Sequence, residues 1–345
     1  MQATSQAPPD VGGSFQISPC GFDCGNGSVK LALETAEIRI PSYVRPVYSD
    51  LDSSSEYYRD GLVEYLSGDR ADLIGSKWFA GEHAYITAPN MQANVVDDRQ
   101  GKLIYGLQLL LGAIAEQPHR PYWQLALAGS IQDAESLRSE LAQKLKGTHT
   151  VRLNGKHTSV IGVAVLGITE EGIGAISQGH TFGLVAANAQ TIVLDIGHGT
   201  IIASLFAPKG KLIARDVQWN GTEKLIDAIA RNIATRKQLM SEGDRTVIRK
   251  GIENANFNYG STGWNFNEIY KTELMAWAKA VIAPALKAVE PWRATSDAAI
   301  AIGGGVNLPG IAQLLTAKGI TACPDPTWAN ARGLLRLAQA KRRGN

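Results

Sequence analysis

Cysteine is scarce. The 345-residue chain has three, Cys20, Cys24 and Cys323, an odd number without CxxC spacing, which fits reduced thiols in a cytosolic protein better than a disulfide frame or a zinc site. His83, His149, His157 and His180 show no metal-ligand spacing either. Charge of one sign is missing too: a net +2 gives no reason to expect nucleic acid or a membrane as the primary ligand. Long hydrophobic runs are absent. The longest, Leu103 to Ala115, is interrupted by Gln108 and falls short of the roughly 20 residues that span a bilayer. The opening MQATSQAPPDVGGS has no basic n-region and no apolar h-region, so residues 1–15 read as a disordered leader and not a signal peptide. A cytoplasmic location is expected, with no direct nucleic-acid contact and no membrane.

Glycine is plentiful. With 36 glycines and 44% hydrophobic residues the chain suits a turn-rich α/β protein, and its length suits two domains. Much of it can be arranged around TIVLDIGHGTIIASLF, residues 191–206. An apolar β-branched run ends in Asp195, turns through Gly197, His198 and Gly199, and leaves as a second apolar run. CGFDCGNGSVKLALE repeats the plan about 170 residues earlier, with Asp23, Gly25, Gly27, Ser28 and Lys30. Two such turns suggest a duplicated domain with a ligand held between the halves.

Along the chain, 29–34 and 38–40 read as strands, while Pro19 confines the opening strand to a start or edge position. Residues 43–85 read as a β-rich insert with strands over 62–66 and 77–79. Leu103 to Ala115 reads as a buried helix, 123–131 as a strand and 133–146 as an amphipathic helix. Residues 148–153 and 158–168 should pair across Asn154-Gly155, with a short helix over 170–178. In the second half a strand over 211–217 precedes a helix over 223–236 capped by Thr222. Residues 241–272 carry no clear pattern. A helix over 274–289 should kink or break at Pro284, then a strand over 298–302 runs into Gly303-Gly304-Gly305. A helix to Lys318, a strand near Thr321 and a helix over 329–341 finish the chain.

Glycines let backbone N–H groups approach a phosphate, Ser28 adds a donor and Lys30 a positive charge. Asp23 is a poor phosphate neighbour unless a divalent cation lies between, and holding hydrated Mg²⁺ is the usual role of such a carboxylate. Alone, this turn is equally an ordinary Gly-rich hairpin. The second turn again offers a carboxylate, glycine amides and a hydroxyl, Thr200, and two matched turns could clamp a phosphate chain and its metal from both sides. The Gly303–Gly305 turn lets backbone pack flat against a ribose or base, or offers helix N-terminal amides to an anion; alone, it reads better as a strand-to-helix connection needing positive φ.

These three elements, in this order and spacing, resemble the actin-like ATPase superfamily. IPSYV after the first hairpin and Ala329-Asn330-Ala331-Arg332-Gly333 further resemble its bacterial and archaeal members, especially the plasmid-segregating ParM type. The resemblance implies an α/β fold of two duplicated ribonuclease H-like domains, each on a five-stranded sheet, with a nucleotide cleft between them. Residues 16–188 plus 326–345 would form domain I, with an insert near 43–88; residues 189–325 would form domain II, with an insert near 220–285. It implies ATP (or GTP) with Mg²⁺, an ATPase cycle and homopolymeric filaments that position DNA through a DNA-binding adaptor; the alternatives within the superfamily are a non-polymerising actin-like scaffold of cell division or pilus assembly and a small-molecule kinase. Asp23 and Asp195 would hold the Mg²⁺. Gly25, Asn26, Gly27, Ser28, Lys30, Gly197, His198, Gly199 and Thr200 would cradle the phosphates, and Gly303, Gly304 and Gly305 the adenosine.

Hydrolysis also needs an acceptor that orients water. The segment LGITEEGIGAI offers Glu170 and Glu171 at a helix start, and the family's Glu-x-Ile-x-Ala pattern selects Glu171. Both could instead be first-turn acids that stabilise a helix N-terminus. His198 stands where a glycine or small residue is expected; it could contact a phosphate or point to solvent, and the second reading is the better fit to a polar residue in a turn. The basic run Arg231, Arg236, Lys237, Arg245, Arg249 and Lys250 reads as a solvated face or, alternatively, a docking surface; Lys341, Arg342 and Arg343 share the ambiguity.

Overall fold

The computed structural model describes residues 17–343 apart from 49–51, 53, 90 and 96–99; the leader expected over 1–15 lies outside the described residues. The first half contributes β1 (Ser18–Cys24), β2 (Ser28–Leu33), β3 (Glu37–Pro41), β4 (Tyr43–Pro46), β5 (Leu62–Gly68), β6 (Lys77–Ala80), β7 (Ala93–Asn94), β8 (Tyr122–Ile131), β9 (Gly147–Leu153) and β10 (His157–Glu170). The second contributes β11 (Thr191–Ile196), β12 (Thr200–Phe206), β13 (Leu212–Trp219), β14 (Ala298–Ile302) and β15 (Thr321–Ala322). In each half three strands form an antiparallel meander, and two later strands add in parallel beyond the first of them. The orders β3-β2-β1-β8-β10 and β13-β12-β11-β14-β15 are the same path taken twice. The duplication suggested by the two turns is therefore present in the topology.

The first sheet has ten strands, not five. Asn154 and Gly155 take φ 54° and 62°, which closes the expected β9–β10 hairpin with the twist that flanking strands need. Strand β9 then pairs with β5 and carries the insert strands β6, β4 and β7 into the same sheet. Pro19 is the second residue of β1, before pairing to β2 begins at Cys20. It marks a strand start, but the strand is interior. Cys20, Cys24 and Cys323 are free and buried.

The helices are α1 (Ser54–Tyr57), α2 (Glu82–Thr87), α3 (Gly101–Ala115), α4 (Ala134–Leu145), α5 (Ile173–Thr181), α6 (Thr222–Arg231), α7 (Ile233–Leu239), α8 (Arg245–Glu253), α9 (Asn267–Trp277), α10 (Ala283–Arg293), α11 (Ile311–Ala317) and α12 (Ala329–Arg343). The helix expected over 223–236 is two. Asn232 leaves helical geometry at ψ 140° and its side chain accepts from Ala234 N–H, so an internal cap restarts the helix. Thr222 is the first helical residue, and Gly221 stands at the cap position. Pro284 does not break the chain's course. A π-helical turn over 278–282 precedes it and places it at the start of α10, where its missing N–H costs little. The unpatterned 241–272 contains α8 and an Asn258–Asn265 bridge.

Each sheet has its own apolar core: β1, β2, β8 and α3 supply the first, β11, β12, α6 and α10 the second. Helix α12 crosses to α5 through glycine against glycine, so close that a Cβ on Gly333 would lie 1.7 Å from the Gly174 carbonyl oxygen.

Candidate functional site

The register of β1 on β2 sets Asp23 opposite Lys30, and their side chains form an ion pair of 3.0 Å. The other carboxylate oxygen accepts from Asn330 Nδ2 at 3.0 Å, and the same amide donates to Ser130 at 3.1 Å. Burial pushes the Asp23 carboxyl up, but Lys30, Lys102 and Asn330 outweigh it and hold it below the usual range. Ser42 donates to the Gly25 carbonyl, and Arg39 Nε donates to the Ser28 hydroxyl at 3.3 Å. The first turn is thus braced from strands on its own side.

The second turn is braced differently. Its carbonyls point onto the start of α6: Gly221, Thr222 and Glu223 donate to Gly199, Gly197 and His198 at 3.0, 3.0 and 2.8 Å. Backbone therefore satisfies amides that a side-chain cap would otherwise take. Asp195, at the end of β11, has its carboxyl raised to about 7, by burial first and by the nearby Asp23 and Glu171 carboxylates after it. Gly303 lies against it. With φ 90° and a notional Cβ only 2.3 Å from an Asp195 oxygen, this position admits glycine alone. The expected helix does not follow directly: a 3-10 turn over Gly304–Asn307 intervenes before α11 starts at Ile311.

His198 does not point to solvent. It packs across the cleft against Gly27, where a Cβ would lie 2.2 Å from its own. Burial, then the Arg249 charge, pushes its imidazole down to about 3, so the ring is neutral. The first and second turns meet through this contact.

Glu170 and Glu171 separate in role. Neither lies in a helix's first turn, because Glu170 ends β10 and α5 starts at Ile173. Glu170 faces away from the cleft, accepts from Asp133 and Ala134 N–H at 3.0 and 2.9 Å, and pairs with Arg215 at 2.5 Å. Glu171 lines the cleft and pairs with Lys102.

The three turns converge on one cleft of about 1060 Å³, open to solvent. Asp23, Gly25, Asn26, Gly27, Ser28, Lys30, Asp195, Gly197, His198, Thr200, Gly303, Gly304, Gly305 and Glu171 all line it. Gly199 and Glu170 do not. Lys102 and Asn330 are wall residues that sequence reasoning missed. Leu225, Ile226, Ile252 and Leu308 add an apolar wall. One end of the cleft is therefore rich in carboxylate, amide and ammonium groups, and the other suits a flat apolar ring. Arg39 and Glu253, both lining the cleft, pair at 2.8 Å, and around an adjoining pocket Glu82 pairs with Lys250 and Tyr85 donates to Asp244.

Much of the basic run is spent in such pairs: Arg231 and Arg245 on Asp227, Arg249 on Glu253, Lys250 on Glu82. In the tail, Lys341 and Arg342 donate to the carbonyls of Leu166 and Ile17.

Residues 21–174 match the family model described as the N-terminal domain of actin-like proteins. The chain carries the actin-like fold. No curated protein matches this actin-like chain, but solved structures do along nearly its whole length. It is similar to apo psk41 ParM, with 17% identity, 95% and 98% of the two chains covered and a TM-score of 0.66. Bacillus thuringiensis ParM with ATP gives 18%, 95% and 99%, and 0.67. An archaeal actin homolog gives 16%, 93% and 99%, and 0.69. Among the described residues no helix is long and apolar enough to cross a membrane.

Proposed function

We propose that this actin-like chain is an ATPase that binds a nucleoside triphosphate with Mg²⁺ in the cleft, hydrolyses it, and assembles into filaments with copies of itself. The observation that carries the reading is the opposition of Asp23 and Asp195, one from each duplicated sheet, across a cleft walled by the three glycine turns. Residues 16–188 with 326–345 would move as one domain and 189–325 as the other. The donor set fits Mg²⁺. Among the described residues no cluster of three or more His, Cys, Asp or Glu could hold a metal by itself, which suits an ion that keeps several waters and takes one or two carboxylates plus phosphate oxygens. The Asp195 carboxyl, raised by burial first and by its carboxylate neighbours after it, is a group that a cation would return to its ionised form. When bound, Mg²⁺ would neutralise charge on the phosphates.

The chain's own groups supply the rest. Amides of Gly25, Asn26 and Gly27, the hydroxyls of Ser28 and Thr200, and Lys30 cradle phosphate oxygens. Gly199 lies off the cleft and the Gly197 N–H is donated to the Thr200 carbonyl at 2.9 Å, so neither of these amides is part of the cradle. Gly303, Gly304 and Gly305 take the nucleoside beside the apolar wall. His198, neutral and packed on Gly27, closes the two turns over the phosphates. Glu171 orients the attacking water; Glu170 is already engaged by α4 and Arg215 and stays outside the reaction. ATP is favoured over GTP because the ParM structures similar to this chain hold ATP and ADP. By the resemblance to ParM the filaments move or position DNA through a DNA-binding adaptor, in the cytoplasm.

Pelleting and phosphate release, each with Mg-ATP, Mg-ADP or no nucleotide, test the reading. ATP-dependent pelleting with phosphate release supports it. Protein that stays in the supernatant and releases no phosphate refutes it, and turnover only with an added acceptor makes the chain a kinase. Glu171→Ala should lower phosphate release by about a hundredfold or more while nucleotide binding and assembly persist.

A further inference from the structure

Lys102 has no place in the reading so far. It is the second residue of α3, at the helix end where the dipole disfavours a cation. Its side chain is only 15% exposed, although a lysine can usually snorkel to water. Helix stability and solvation therefore both work against it, and what holds it is the cleft. Its ammonium pairs with Glu171, whose side chain is 14% exposed. The other cleft carboxylates have nearer partners or neighbours: Asp23 pairs with Lys30 and accepts from Asn330, with the Lys102 charge acting on it without a direct pair, Glu253 pairs with Arg39 and Arg249, and Asp195 lies beside Gly303. Among the described residues, Lys102 is the only side chain paired with the Glu171 carboxylate.

We propose that Lys102 is a positioning residue that fixes the Glu171 carboxylate in the orientation from which it directs water at the terminal phosphate. The inference rests on the ATPase reading above. A carboxylate on a flexible side chain orients water poorly unless its own rotamer is locked, and a misplacement of about 1 Å can cost about a hundredfold in rate. The ammonium supplies the lock from α3, an element of the first half that carries none of the three glycine turns. Lys102 itself touches no phosphate in this assignment. It acts through Glu171.

The test is a double-mutant cycle on the full chain, read by steady-state phosphate release. K102R keeps the charge, so the fold should hold and the melting temperature should stay near that of the wild type. It moves the charged head, and kcat should fall about tenfold with KM within about threefold; K102M should lose more. In an E171Q background neither substitution should lower kcat further, because the group being positioned is already gone. Wild-type kcat in both single variants overturns the proposal, as do losses that multiply with E171Q or a loss confined to KM. Should K102M fail to fold, K102R alone carries the test, since a merely structural lysine replaced by arginine would leave kcat unchanged. A wild type that binds no Mg-ATP and releases no phosphate overturns the ATPase reading itself, and is told apart from these outcomes by a direct nucleotide titration.

Discussion

Alanine at Gly304 should make the protein slightly more stable and, on the proposed reading, weaken its hold on a nucleotide. A Cβ at this position would meet no protein atom within 4 Å, and the backbone is not in the left-handed region. Replacing glycine under those conditions removes freedom from the unfolded chain and adds about 0.4–1 kcal/mol of stability, a rise of roughly 1–4 °C in melting temperature. The space that is free of protein is where a nucleoside would lie flat on the backbone. A methyl group there lifts the ring off its contacts. Each carbon pair is worth about 0.1–0.2 kcal/mol, so forfeiting about ten of them costs about 1–2 kcal/mol, a fivefold to thirtyfold loss of affinity. Thermal melts without nucleotide and titration with a fluorescent ATP analogue in Mg²⁺ read the two effects separately. An unchanged affinity would refute the placement of the nucleoside on this turn, whatever the melt shows.

Asp195→Ala should weaken Mg-nucleotide binding and the assembly linked to it, measured by calorimetric titration and pelleting, and a neutral result would return that turn to plain scaffold. Gly333→Ala drives a methyl into the Gly174 carbonyl and should cost about 1–3 kcal/mol or more, seen as a fall of several degrees in the melting temperature; a wild-type melt would contradict the backbone-on-backbone packing. His149, fully buried, can donate from Nε2 to the Leu145 carbonyl at 3.2 Å and accept at Nδ1 from the Tyr65 hydroxyl at 2.9 Å, a network that suits the neutral ring. Burial pushes its pKa below the usual value, so its contribution to stability is whole above about pH 6.5, the unfolded value, and is lost as pH falls through the lower folded value. Melting temperature should therefore fall between pH 7 and pH 5, with a shallower fall in His149→Phe; equal slopes would refute this assignment.

The parts of the site legible in the sequence are those made by neighbours along the chain. Asp23 and Lys30, or Asp195 and the glycines after it, lie within one hairpin, and hairpin chemistry is local: alternation, turn residues and strand ends. Asn154-Gly155 was readable for the same reason. Lys102 meets Glu171 and Asn330 meets Asp23 only because separate elements are packed together, and no pattern within a window of residues encodes that. The helix break at Asn232 was hidden because the apolar stripe of Leu225, Ile226, Ile229 and Ile233 runs straight through it. Periodicity reports which face is buried, and Ile233, though on the expected stripe, is 71% exposed once the cap restarts the helix. His198 misled in the other direction: a polar residue in a glycine turn suggests solvent, but the opposing turn lies close enough to cover it.

The three carbonyls that the second turn lends to the start of α6 make turn and helix a single stiff arm. Ten residues at 1.5 Å each give that arm a length of about 15 Å. A tilt of about 5° at its root moves its far end by about 1 Å, and that end leads through Asn232 into α7. A ligand that shifted the Gly197–Thr200 turn would carry that shift to the far end of the helix through main-chain hydrogen bonds, which side-chain substitution leaves intact.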